Sequence, residues 1–411
     1  MPALRLSAPW VVPVAAPPIR HGAVLVDPGG RIAAVGPDDA VPAPPGVPHE
    51  RLEGAALLPG LVNAHTHLEL TGLAGAVREA AFPDWIRRVR EVKAGRSATE
   101  VRRAAEQGVR DCWAAGVTTV ADTGDSGAVI EALATLGGRG VVYHEVFGPH
   151  PEQQRDSVAG LAARLGELRR FTSPRVRLGV SPHAPYSVSR PLYREAAALA
   201  RREGLPLALH LAESLEESAL VAHADGPFAA MWRRREIPLH APQGLTPVEW
   251  VDAEGVLGPD VLCVHLVQAS DRDLQLLAER GAAVAHCPLS NRAHAHGTAP
   301  LGAMRRHGLR VGVGTDSVVS VGALDLLAEA RAARAIGGLG ADGALALVTS
   351  GAALAIGLGD EVGTLARGRW ADLAAFDVSS DGDPVEAVLA AAPAARATWV
   401  EGREVWRRPA A

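Results

Sequence analysis

The stretch Asn63-Ala64-His65-Thr66-His67 closes the apolar run Leu57-Leu58-Pro59-Gly60-Leu61-Val62. Side chains two apart on a β-strand share a face, so His65 and His67 place both imidazoles together where the run ends. Two neutral imidazoles make half of a metal site. The pair alone is weak, because two nearby histidines arise readily by chance. Other apolar runs also end in residues of ligand type: His210 and Glu213 in His210-Leu211-Ala212-Glu213, then His265, then Asp316 in Gly314-Thr315-Asp316. Three histidines and a carboxylate suit one borderline divalent ion, Zn2+ ahead of Fe2+ or Mn2+. The expected ligands are His65, His67, His210 and Asp316. An ion held there lowers the pKa of its bound water to ~7. Asp316 is placed to take a proton as the nucleophile attacks. Glu213, three residues past His210, is placed to shuttle protons between water, substrate and leaving group. His265 is expected to polarise the nucleophile or stabilise developing charge.

These residues act together only if their strands end at one place. Eight short β-type runs, each followed by an Ala/Leu/Arg/Glu-rich helical stretch, cover residues 58–67, 116–122, 140–146, 176–183, 206–213, 261–267, 282–288 and 310–316. Alternation of this kind implies a parallel sheet. Eight units imply a closed (β/α)8 barrel, with chemistry at the C-terminal ends of its strands. Residues 192–203 and 271–280 carry apolar positions every three or four residues and read as outer-ring helices. Residues 23–35, 371–377 and 398–406 read instead as strands and tight turns. The expected fold is α/β: a barrel over residues 58–362, inserted in a small β-sandwich built from residues 1–57 and 363–411. A chain of 411 residues accommodates a barrel of ~250 residues plus such a domain.

Composition narrows the class. A net charge of −5 favours neither nucleic acid nor an anionic membrane. No run reaches the ~18 uninterrupted apolar residues of a membrane span. The N-terminal stretch lacks a basic start and is interrupted by Pro9, Pro13, Pro17 and Pro18, so it reads as strand and turn rather than a secretory signal. Cys112, Cys263 and Cys287 form no C-x-x-C pair and point to a reduced compartment. A soluble, cytoplasmic protein acting on a small molecule is expected.

Six stretches carry a resemblance: Leu58-Pro59-Gly60-Leu61-Val62-Asn63-Ala64-His65-Thr66-His67, Ser181-Pro182-His183-Ala184-Pro185-Tyr186-Ser187, His210-Leu211-Ala212-Glu213, His286-Cys287-Pro288-Leu289-Ser290-Asn291, Gly314-Thr315-Asp316-Ser317, and residues 362–373. The sequence resembles the amidohydrolase superfamily, and within it the cytosine-deaminase/chlorohydrolase-like branch. The resemblance implies one metal on His65, His67, His210 and Asp316, acid/base and electrostatic work by Glu213 and His265, and a homo-oligomer. Two-metal members usually bridge their ions with a carboxylated lysine at the fourth strand. Lys93 is the single lysine and follows strand one, so a mononuclear site and deamination of an aromatic ring are favoured. His67-Leu68-Glu69 mimics the H-x-E of another deaminase fold, but no P-C-x-x-C follows.

Substrate residues are read from the same resemblance. In nucleoside-type deaminases of this branch the residue matching His183 contacts the substrate. Phe82-Pro83-Asp84-Trp85-Ile86-Arg87-Arg88, with residues 213–217 and Gly226-Pro227-Phe228, is similar to aminodeoxyfutalosine deaminases of the alternative menaquinone route. Their adenine nucleoside carries a carboxyphenyl group. Trp85, Arg87 and Arg88 are candidates for its apolar wall and arginine clamp; the alternative is that Arg87, Arg88 and Arg90 form a solvated helix face. Glu69, His144 and Glu145 at strand ends are expected to line the pocket, and Asn291 to hold the loop after strand seven beside the substrate. Residues 292–297 depart from the family pattern, and His294 and His296 are expected to be exposed, with no metal role. The implied activity is a zinc-dependent hydrolytic deamination of an adenine nucleoside derivative, 6-amino-6-deoxyfutalosine first. Alternatives are S-adenosylhomocysteine or methylthioadenosine, displacement of chloride or an amine from another heterocycle, and a metal-free binding protein on the same fold.

Overall fold

The computed structural model describes residues 3–379 and 381–409. The terminal segments expected from sequence also include residues 1–2, 380 and 410–411, which lie outside the described residues. The strands, in chain order, are β1 (Leu4–Val11), β2 (Ile19–Val26), β3 (Ile32–Pro37), β4 (His49–Arg51), β5 (Ala55–Pro59), β6 (Leu61–Thr66), β7 (Val117–Gly124), β8 (Arg139–Val146), β9 (Val176–Pro182), β10 (Leu207–Leu211), β11 (Val261–His265), β12 (Ala283–His286), β13 (Arg310–Val313), β14 (Leu373–Asp377), β15 (Ala397–Val400) and β16 (Arg403–Arg407).

Strands from both ends of the chain form one mixed eight-stranded sheet, ordered β16-β15-β14-β5-β1-β2-β3, with β4 paired to β1. Leu6, Val24, Val26, Leu57, Leu373 and Trp399 share its apolar cluster. Leu58 and Pro59 belong here, paired with Ala374 and Leu373. The run expected as one strand over 58–67 is therefore two, β5 and β6. Gly60 separates them: a Cβ there would lie 2.2 Å from Thr118 Oγ1. Only glycine lets the backbone cross from one sheet to the other at that approach.

Strands β6 to β13 form a second, parallel eight-stranded sheet in sequential order, the barrel. Strands β6, β7 and β8 are buried at every residue, as strands covered on both faces must be. Closure joins the last strand to the first. Thr66 and Asp316 form a parallel bridge, and the Asp316 N–H donates to the His65 carbonyl at 3.0 Å. Gly314 lies on this seam, where a Cβ would come within 2.5 Å of the His65 nitrogen. Helices cover the outside. In the helix Arg190–Arg202, Leu192, Tyr193, Ala196, Ala197, Leu199 and Ala200 are buried, the apolar stripe of an amphipathic helix.

A buried ion pair ties barrel to terminal sheet. Arg139 Nε donates to Asp372 Oδ2 at 2.6 Å, and its Nη2 to Glu401 Oε1 at 3.0 Å. Removing one partner would strand a buried charge. Among the described residues, no helix is long and apolar enough to cross a membrane.

Candidate active site

The residues on the closing seam face one point. Asp316 Oδ1 lies 3.3 Å from His67 Nε2 and 3.6 Å from His65 Nε2. Its other oxygen is held from behind by the hydroxyls of Ser290, at 2.6 Å, and Ser320, at 3.0 Å. Asn63 braces the same seam, its Oδ1 accepting from the Thr315 N–H at 3.1 Å and its Nδ2 donating to Thr315 Oγ1 at 2.8 Å. His67 Nδ1–H donates to the Thr123 carbonyl at 2.8 Å, which leaves Nε2 as the inward nitrogen. His65 Nε2 is buried with no hydrogen-bond partner. Burial pulls the His65 pKa down to about 4, outweighing Asp316. Burial also opposes charge on His67, but the hydrogen bond and charge of Asp316 prevail and raise it to about 9. For Asp316 burial is likewise outweighed, and His65 and His67 hold the carboxyl well below the usual range.

His210 joins through His65, their ring centroids 4.9 Å apart. Its Nδ1–H donates to the His183 carbonyl at 3.3 Å, and burial, with the neighbouring histidines, keeps its pKa well below normal. Donor atoms of His65, His67 and Asp316 lie within 4.8 Å of one another, as do those of His65, His210 and His265. A divalent ion fits this donor set: imidazoles anchored through Nδ1, an unpartnered buried Nε2, and a carboxylate oxygen facing them.

Glu213 lies beside this cluster in a turn built for it. Ala212 adopts a left-handed φ of 50°. The carboxylate of buried Glu217 accepts both the Ala212 and the Glu213 N–H at 2.9 Å. Glu213 Oε1 lies 3.6 Å from His265 Nε2 and 3.4 Å from His296 Nε2. Burial pushes its pKa up, but His265 and His296 bring it below the ordinary carboxylate value. His265, also left-handed at φ 76°, donates from Nδ1 to Asn291 Oδ1 at 2.9 Å. Backbone strain thus falls on residues at strand ends that face the cluster.

Several placements differ from expectation. His296 is buried, its side chain 3% exposed against Glu213, where an exposed loop was expected. His294 is half-buried with its ring 4.4 Å from Trp85. The reason is local: Pro288–Ala293 is helical, and the chain leaving it folds back over the barrel mouth. Asn291 spends its side-chain oxygen on His265 rather than on the pocket. Glu69 is buried and occupied, its carboxylate accepting from Lys93 Nζ and Ser126 Oγ. Glu69 and Asp125 hold Lys93 in its charged form against burial. Arg87 and Arg88 are 54% and 45% exposed and both pair with Glu91, at 2.6 and 3.3 Å, as residues on a solvated helix face do.

Other candidates do border the cluster. His183 rests 4.8 Å from the His210 ring, its Nδ1 2.7 Å from Ser187 Oγ; burial pulls its pKa to about 3. Glu145 Oε1 is 3.9 Å from His183 Nε2, and burial lifts that carboxyl to about 7. His144, next along the strand, points to the opposite face, and burial lowers it to about 4. Trp85 stacks on Phe82 at 6.0 Å, beside an apolar wall that includes Tyr186, Phe228 and Trp232. Thr123, Glu217, Ser290 and His296 carry positioning contacts that the sequence reading did not assign. For Glu217 a signal existed, because Ser214-x-x-Glu217 has the spacing of a helix cap.

The match to known proteins agrees with this geometry. The Amidohydrolase family model matches residues 56–405. A 5-methylthioadenosine/S-adenosylhomocysteine deaminase of Symbiobacterium thermophilum is 31% identical over 376 residues, 87% of this chain and 80% of its own. An aminodeoxyfutalosine deaminase of Deinococcus radiodurans is 34% identical over 326 residues, 76% of this chain and 75% of its own. The crystal structure of an adenosine deaminase from Xanthomonas campestris with bound zinc superposes with a TM-score of 0.85 at 27% identity, covering 98% of this chain and 92% of that one. With His65, His67, His210 and Asp316 gathered at the mouth of a closed parallel barrel, and the family model spanning that barrel, the chain belongs to the amidohydrolase family.

Proposed function

We propose that this metal-dependent hydrolytic deaminase converts the 6-amino group of an adenine nucleoside derivative to the 6-oxo form, releasing ammonia. The observation that carries the reading is a buried carboxylate, Glu213, beside the donor cluster and facing the imidazoles of His265 and His296. His65, His67, His210 and Asp316 would hold one divalent ion, zinc ahead of Fe2+ or Mn2+. When bound, such an ion supplies a water acidified to near neutrality and a Lewis acid. Asp316 takes one proton of the attacking water. Glu213 takes the other and delivers it to the ring nitrogen beside C6. Asp316 then returns its proton to the departing amine, which leaves as ammonia. His265, oriented by Asn291, stabilises charge as it develops.

For the substrate, 6-amino-6-deoxyfutalosine is the first choice. The Deinococcus relative and the aromatic wall of Phe82, Trp85, Tyr186 and Phe228 support it. His183 is assigned to the purine, with Glu145 beside it. A second reading, S-adenosylhomocysteine or methylthioadenosine, is favoured by the Symbiobacterium relative and by the engagement of Arg87 and Arg88 with Glu91. Measuring kcat/KM on adenine nucleosides that differ only in the 5′ tail tests the choice. Strong preference for the carboxyphenyl tail supports the first reading, and preference for a thioether tail replaces it with the second.

A further inference from the structure

His296 follows the helix Pro288–Ala293, and its side chain reaches the buried carboxylate of Glu213. Its Nε2 is buried without a formed hydrogen bond and lies 3.4 Å from Glu213 Oε1, the carboxylate oxygen it faces. The imidazole does not drift into that position. The His296 backbone N–H donates to the Asn291 carbonyl at 3.0 Å, and the imidazole packs edge-on with Phe82, the ring centroids 4.4 Å apart at 83°. Gln268 ties the two partners together. The Gln268 N–H donates to the carbonyl of Ala212, the residue before Glu213, at 2.8 Å. Its side-chain amide donates to the His296 carbonyl at 2.7 Å. Glu213 and His296 therefore hang on one residue, and Asn291 supports both His296 and His265.

We propose that His296 is a positioning residue for Glu213. Its Nε2–H and His265 Nε2 bracket Oε1, which leaves Oε2 to face the reacting ring nitrogen. A long contact of this kind is expected to shorten when substrate orders the site. The titratable groups around Glu213 are His265, His296 and Asp316, together with Glu217, His183, His294, Tyr186 and Cys287. This role rests on the deaminase reading, in which Glu213 carries the proton.

Two measurements on the zinc-loaded full chain test it. The first is the 15N spectrum of labelled histidines, with His296 assigned by its loss in His296→Leu. We expect a proton on Nε2 and a shift of the His296 signals in Glu213→Gln. The second is kinetics. His296→Leu should keep its metal, lose about ten- to a hundredfold in kcat, and move the acid limb of kcat/KM upward. His296→Gln, whose amide can still donate, should recover much of the loss. Unchanged His296 signals in Glu213→Gln, or an unchanged kcat and acid limb in His296→Leu, would overturn the assignment. If the wild type deaminates no adenine nucleoside, the functional reading fails, while the 15N result still decides the place of His296.

Discussion

The backbone N–H of Asp316 donates to the carbonyl of His65 at 3.0 Å, and the side chains of the same two residues meet at 3.6 Å. The bond that closes the barrel and the contact that builds the metal cluster are made by one pair. Metal binding should therefore stabilise the fold at its seam, since binding to the native state alone adds stability. Chelation should lower the melting temperature by several degrees, and adding zinc back should restore it. In His65→Asn, zinc should neither bind tightly nor raise the melting temperature. A melting temperature indifferent to chelation would contradict this coupling.

Glu213 faces His265 and His296 and is not one of the assigned ligands. Glu213→Gln keeps the shape of the side chain but holds no transferable proton. Turnover should fall by about 10²- to 10⁴-fold, with metal content by elemental analysis unchanged. A variant that loses its metal along with its activity would make Glu213 a ligand instead.

His67 carries the one proton that a metal must displace. In the metal-free protein its pKa is raised to about 9, while His65 is lowered to about 4 and Asp316 is ionised. At about pH 6, bound water of pKa ~7 mostly keeps its protons. Zinc binding there should release close to one proton per ion, read by calorimetry in buffers of different ionisation enthalpy. His67's share should shrink as the pH passes about 9, because the imidazole is then already neutral. No proton release near pH 6 would show that the His67–Asp316 pair is not charged.

The helix Phe82–Ala94 carries two kinds of candidate substrate contact. Arg87 and Arg88 already pair with Glu91 in solvent, so Arg87→Ala and Arg88→Ala should each change kcat/KM by less than about twofold. Trp85 is half-buried against Phe82 and His294. If the nucleoside tail lies on this wall, Trp85→Ala should raise KM about tenfold or more by removing buried aromatic area. The reverse pattern, large losses in the arginine variants and none at Trp85, would restore the arginine clamp.

Much of this architecture was legible in the sequence for a physical reason. Buried parallel strands must be continuous apolar runs, so β6 to β13 each stand out, and the polar residues that end them stand out in turn. His65, His67, His210, His265 and Asp316 were read from that position alone. What escaped depends on distant partners. The run through Leu58 to His67 looks unbroken, because nothing local reveals Thr118 pressing on Gly60. Glu69 resembles a pocket residue until Lys93, in a following helix, takes up its carboxylate. Arg87 and Arg88 suggest a clamp until Glu91 is seen one turn away. His296 has no strand or helix period to mark it, and only the fold-back after Pro288–Ala293 carries it to Glu213.

Ammonia release measures the central claim most directly. The zinc-loaded protein should convert at least one 6-aminopurine nucleoside to its 6-oxo product with one ammonia per turnover, and lose that activity on chelation. Absence of ammonia from every nucleoside in a panel spanning plain, thioether and carboxyphenyl tails, with zinc demonstrably bound, would contradict it.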